Sequence, residues 1–140
     1  MQHRIMWVVA ISLAIAGVNG RAAESGKEKD AVSVAEKWLS LVDEGKYGES
    51  WKDAAVYFKN AIKQEQWEQT VKAVRKPLGK LISRQVKSAS YQTTLPGAPD
   101  GEYVVITFET SLENKKSAIE TVTPMMDKDG KWRVSGYFIK

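Results

Sequence analysis

Few side chains in this 140-residue chain are placed to do chemistry, and Glu120 is the first of them. It alternates with Ala118 and Val122 in a strand-like run, so it shares their face and points toward an interior. A carboxylate there can act as a general base or anchor a ligand. Otherwise it is a structural ion pair with Arg75 or Arg84, or a solvent-facing strand residue, and this is the stronger reading because structural ion pairs are common among perturbed acids. Arg75 and Arg84 flank Pro77-Leu78-Gly79. Their planar forks suit a carboxylate or phosphate. Yet Arg75 equally supports a helix end, where a cation complements the dipole, and Arg84 equally pairs across a sheet. Trp38, Trp51, Trp67 and Trp132 can line an apolar cavity or stack on a sugar; at helical spacing, core packing is the simpler reading. The candidate ligand contacts are thus Glu120, Arg75, Arg84, Trp67 and Tyr103.

Other chemistries are excluded by what the chain lacks. Residues 1–22 read as a secretory signal peptide: Arg4, an apolar run over 8–18, then small residues that place a cut before Ala23 or before Arg21. The run ends short of the ~20 apolar residues a spanning helix needs, and with no cysteine the chain cannot be a lipoprotein. That leader holds His3, the only histidine. The remainder therefore offers no Cys/His zinc site, no metal or cofactor motif, no histidine triad and no thiol nucleophile. The chain has 21 Lys+Arg and 17 Asp+Glu; without Arg4 and Arg21 the balance is 19 against 17, a net +2. Nucleic-acid binding calls for a basic stripe with aromatics, and a nearly balanced surface such as Lys27-Glu28-Lys29-Asp30 predicts none.

Residues 23–29 read as a polar spacer and 30–140 as one domain, large enough for a single unstapled core. Ala31, Val34, Ala35, Trp38 and Val42 form one helix stripe that Gly45 releases. Tyr47, Trp51, Ala54, Ala55, Phe58 and Ile62 predict a second helix. Trp67, Val71 and Val74 predict a third, over 63–75, stopped by Pro77. Thereafter the period is two. A strand is predicted over 81–95, bulged near 87–90, then a turn at 96–101 whose glycines lack the spacing and following helix of a phosphate loop. The next strand puts Val104, Ile106, Phe108 and Leu112 on one face. A third strand covers 117–126 and a fourth 131–139, with Trp132, Val134, Gly136 and Phe138 sharing a face. The plan is α+β: three N-terminal helices packed on a curved four-stranded antiparallel meander.

Several blocks of residues carry a likeness to a known family. They are Trp38 with Gly45-Lys46-Tyr47 and Ser50-Trp51, then Trp67, Arg75-Lys76-Pro77-Leu78-Gly79 and Arg84. Leu95-Pro96-Gly97, Asp100-Gly101-Glu102-Tyr103, Glu120-Thr121-Val122 and the stretch from Asp129 through Ile139 follow in order. Over about 34–140 the chain resembles the DUF4019 family of small exported bacterial proteins, whose function is unassigned. The resemblance implies a domain similar to the NTF2-like (cystatin-like) roll and implies no activity.

Three functional expectations follow. The first is a non-catalytic periplasmic or extracellular domain that binds a small molecule or an envelope protein and meets the membrane only through its leader. The second is a carboxylate-dependent hydrolase or isomerase using Glu120. The third is a structural subunit, a homodimer through Tyr103, Val105 and Tyr137.

Overall fold

The computed structural model describes residues 22–140 of the chain. The expected leader, with Arg4 and His3, lies outside the described residues except for Ala22. Helix α1 spans Ala22–Asp43, α2 Tyr47–Lys52, α3 Val56–Ala61 and α4 Gln64–Arg75; a 3-10 turn, Lys76–Leu78, precedes the strands. Strands β1 (Leu81–Gln92), β2 (Tyr103–Leu112), β3 (Lys115–Met126) and β4 (Trp132–Ile139) form one antiparallel sheet in the order β1-β2-β3-β4. The fold is α+β, with four α-helices among the described residues rather than the expected three.

Two helix expectations need correction. The stretch 23–29, expected as a spacer, is the first part of α1. It is rich in good helix formers, and tertiary contacts hold it. Lys27 Nζ donates to Glu102 at 2.8 Å, and the Tyr91 amide donates to the Glu28 carboxylate at 3.1 Å. The single helix expected over Tyr47 to Ile62 is broken into α2 and α3. Ala55 turns to extended backbone (φ −62°, ψ 153°) and its amide donates to the Val134 carbonyl of β4 at 2.8 Å. Ala54 and Ala55 are fully buried, and their small side chains let the backbone come that close. A bond to the sheet replaces continuation of the helix, while the apolar stripe survives on both pieces.

The core lies between the helices and one sheet face. Ala31, Ala35, Trp38, Leu39 and Val42 of α1 meet Val104, Ile106 and Phe108 of β2. Trp67 sits at its centre, edge-on to Phe58 with ring centroids 4.9 Å apart and 5.8 Å from Trp38. The β1–β2 ladder is bulged between Val86 and Ser88, as expected, and again between Leu81 and Ser83. The β4 pattern differs from expectation. Thr123 pairs with Gly136 but Pro124 with Val134, so Ser135 is an extra residue that reverses the alternation. Val134 and Tyr137 both reach the core, and Phe138 pairs with Thr121 outside it. On the opposite sheet face the 93–102 connection folds back, packing Leu95 on Tyr103 and Val105. Tyr103 and Val105 are covered by that connection and Tyr137 lies in the helix-side core, so the three residues expected as dimer contacts are buried.

Candidate functional site

The chain gathers its charged candidates at one end of the core. Helix α1 ends in a glycine-released cap. The Lys46 amide donates to the Leu41 carbonyl at 2.8 Å and Gly45, at φ +77°, donates to Val42 at 3.1 Å. That cap fixes Asp43 in the last turn of α1. On α4, Trp67, Val71 and Arg75 share the buried face at i, i+4, i+8, so Arg75 takes the core position that Val74 was expected to fill. Arg84 of β1 stands opposite Thr110 of β2, which stands opposite Ala118; Glu120, two residues on, faces the helices opposite Phe108.

Asp43 joins these groups. Its carboxylate takes both ends of the Arg84 fork, at 2.7 and 2.9 Å, and the Arg75 guanidinium at 2.8 Å. Arg84 turns its Nε to Glu120 at 2.8 Å. Thr110 donates to the same Glu120 oxygen at 2.7 Å, and the Tyr137 hydroxyl donates to the other. Arg75 also donates to the Gly79 carbonyl at 3.3 Å, and its Nε is buried without a hydrogen-bond partner. Glu120 is wholly enclosed, and the Arg75 side chain is 3% exposed. Two carboxylates and two guanidiniums cancel in charge, which such burial demands. Burial and the Glu120 carboxylate push the Tyr137 hydroxyl well above its ordinary pKa, against the opposing pull of Arg75 and Arg84. Burial alone would lower Arg84; its hydrogen bond to Asp43 and the charges of Glu120 and Asp43 more than reverse this.

Of the five expected contacts, Glu120, Arg84 and Arg75 thus belong to one network. Trp67 adjoins it through Tyr137, with ring centroids 6.4 Å apart, and donates its ring N–H to Ser50 at 2.9 Å. Tyr103 stands apart on the other sheet face, donating to the Pro99 carbonyl. Sequence reasoning missed Asp43 and Tyr137. Asp43 did leave a signal, since an acid in a helix's last turn opposes the dipole and needs a cationic partner. Tyr137 left none, because the Ser135 bulge decides which way it points.

Two surface clefts flank the network and reach Asp43, Arg75, Arg84 and Thr110, but Glu120 is not in their walls. Among the described residues no cluster of three or more His, Cys, Asp or Glu side chains could hold a metal ion.

A larger cleft, about 1190 Å³, opens between α1, α3 and the β3–β4 turn. Trp38, Leu41, Tyr57, Met125, Met126 and Trp132 supply its apolar wall. All but Trp38 are half-buried in the free chain. Its turn is fixed by Arg133, which bonds Asp127 at 2.9 Å and Asp129 at 2.8 Å. The Arg133 hydrogen bond holds Asp129 down at a pKa of about 2.

Residues 34–137 match the family described as "Protein of unknown function (DUF4019)". The chain belongs to that family. The DUF4019 match runs from α1 into β4, so every residue of the network and of the large cleft falls inside it. No curated protein matches the chain.

Proposed function

We propose that this DUF4019 member is an exported, non-catalytic binding domain whose ligand occupies the cleft between α1, α3 and the β3–β4 turn. The observation that carries the reading is the convergence of half-exposed Leu41, Tyr57, Met125, Met126 and Trp132 on one concavity. Covering apolar surface that the free protein leaves wet gains about 25 cal/mol per Å², and concave, aromatic-lined sites of this kind are where small molecules bind. Export rests on the leader pattern of residues 1–22. Among the described residues no helix is long and apolar enough to cross a membrane.

Glu120 favours the non-catalytic side. Its oxygens already accept from Arg84, Thr110 and Tyr137, and the side chain is fully buried. A general base must lie within hydrogen-bond reach of the proton it takes. The likeness to an NTF2-like roll belongs to the same proposal, with one difference. The space between helices and sheet is occupied by Trp38, Phe58, Trp67 and the ionic network.

Ligand-observed NMR with a panel of envelope metabolites tests the reading. Hits seen with the wild type should vanish in Trp132→Ala. Hits that survive Trp132→Ala, or substrate turnover that depends on Glu120, would overturn it.

A further inference from the structure

The cleft carries information about its ligand beyond its being a site. Its lining holds six cationic side chains, Lys37, Lys52, Lys59, Lys128, Lys131 and Arg133, against Asp53, Asp100, Asp127 and Asp129. That excess equals the +2 of residues 23–140 as a whole. The pairing within the cleft sharpens it. Asp127 and Asp129 are spent on Arg133. Lys59 donates to the Lys52 carbonyl at 3.1 Å and stands over the Trp51 ring. Lys37, Lys52, Lys128 and Lys131 are exposed and form no ion pair among the described residues, with Asp53 and Asp100 the uncommitted acids of the same lining. Trp38, Leu41, Tyr57, Met125, Met126 and Trp132 are instead half-buried or buried, which sets the charge of these four lysines on the solvent side of the apolar wall. Met126, opposite Trp132 across β3 and β4, adds an unbranched, polarisable side chain that adapts to irregular apolar shapes, while Met125 also packs against the Leu95–Tyr103 cluster. The volume, about 1190 Å³, is close to the ~300–1000 Å³ of small-molecule sites.

We infer that the cleft takes an anionic amphiphile, a small molecule with an apolar chain or ring body and one carboxylate or phosphate head. The inference rests on the binding reading above and adds the ligand's class. The apolar body lies against Trp132, Tyr57, Leu41 and the two methionines, and the head meets the lysine rim. Charge at the rim selects against a cation of the same body, since like charges gathered around an apolar site raise the cost of bringing it there.

Isothermal titration calorimetry of the purified protein with dodecanoate, below its micellar range, tests this beside acetate and dodecyltrimethylammonium. Dodecanoate should bind one site saturably, at least tenfold more tightly than either control. Its affinity should fall several-fold in Lys128→Glu and tenfold or more in Trp132→Ala, with both variants melting as single cooperative transitions. A higher salt concentration should weaken binding, because the rim is exposed and screened. Equal binding of dodecanoate and the ammonium through Trp132 would overturn the anionic class and leave the cleft as a site. Binding of an acidic aromatic peptide in place of dodecanoate, lost in Trp132→Ala, would overturn the small-molecule class and likewise keep the site. No binding of any probe, with Trp132→Ala indistinguishable from wild type, would overturn both inference and site.

Discussion

The ionic network and the large cleft are built from similar residue types and do opposite things. In the network, Glu120 and Arg75 are buried, Asp43 and Arg84 are mostly so, and nearly every polar group has a partner within the protein. In the cleft, Arg133 and Asp129 are partly open to water with only Asp127 tucked in, and exposed lysines share the lining with half-buried aromatic side chains. Burial turns charge into a constraint on the fold, because a desolvated ion must keep its partner. Exposure leaves charge free to choose a ligand. On the proposed reading, the residues that look most functional in this sequence are the ones committed to structure.

That contrast can be broken most decisively at Glu120. Glu120→Ala leaves Arg84 Nε and the Thr110 and Tyr137 hydroxyls without their acceptor and one positive charge of the network uncompensated, and should cost about 3–5 kcal/mol in urea unfolding; a loss under ~1 kcal/mol would mean the network holds little together. Tyr137→Phe, removing one donor to a buried carboxylate, should cost about 1.5–3 kcal/mol. Tyr137 also sets an alkaline limit. Its folded pKa is raised above the unfolded value of 10.0 by burial and Glu120. Its contribution is therefore full below pH 10 and is lost as pH climbs toward the folded value, because the unfolded chain releases that proton first. Unfolding midpoints measured between pH 9 and 11 should fall, and should fall less steeply in Tyr137→Phe. Tyr91 and Tyr103, raised the same way, leave a residual slope.

Gly45→Ala forces a side chain into the left-handed backbone that seats Asp43, at a cost of about 1–2 kcal/mol. On the cleft side, Asp129→Asn should give the smallest effect. The folded pKa of Asp129, about 2, lies below its ordinary 3.8, so its contribution is present above 3.8 and is lost as pH falls toward 2. The variant should match wild type near pH 2 and differ, slightly, above pH 4.

Much of the fold was legible because its signals are local. The α1 stripe ends at Gly45 as its spacing requires, β2 alternates from Tyr103 onward, and the turn residues at 96–101 and Gly130 separate the strands. What was not legible depends on partners distant in sequence. The break at Ala55 is made by the Val134 carbonyl, the reversal in β4 by one extra residue at Ser135, and the early start of α1 by Glu102 and Tyr91. The site followed the same rule. Glu120, Arg84 and Arg75 could be nominated from residue type, but Asp43, which holds both arginines, could be joined to them only once α1, α4 and β1 had met. The cleft left no local motif, since its wall comes from three separated stretches.

The central claim, that ligands are met at the cleft and not at the ionic network, is tested most directly by an NMR titration of the labelled protein with dodecanoate. Shifts should concentrate at Leu41, Tyr57, Met125, Met126 and Trp132 and leave Asp43, Arg84 and Glu120 in place. Shifts centred on Arg84 and Glu120, with Trp132 unmoved, would contradict it.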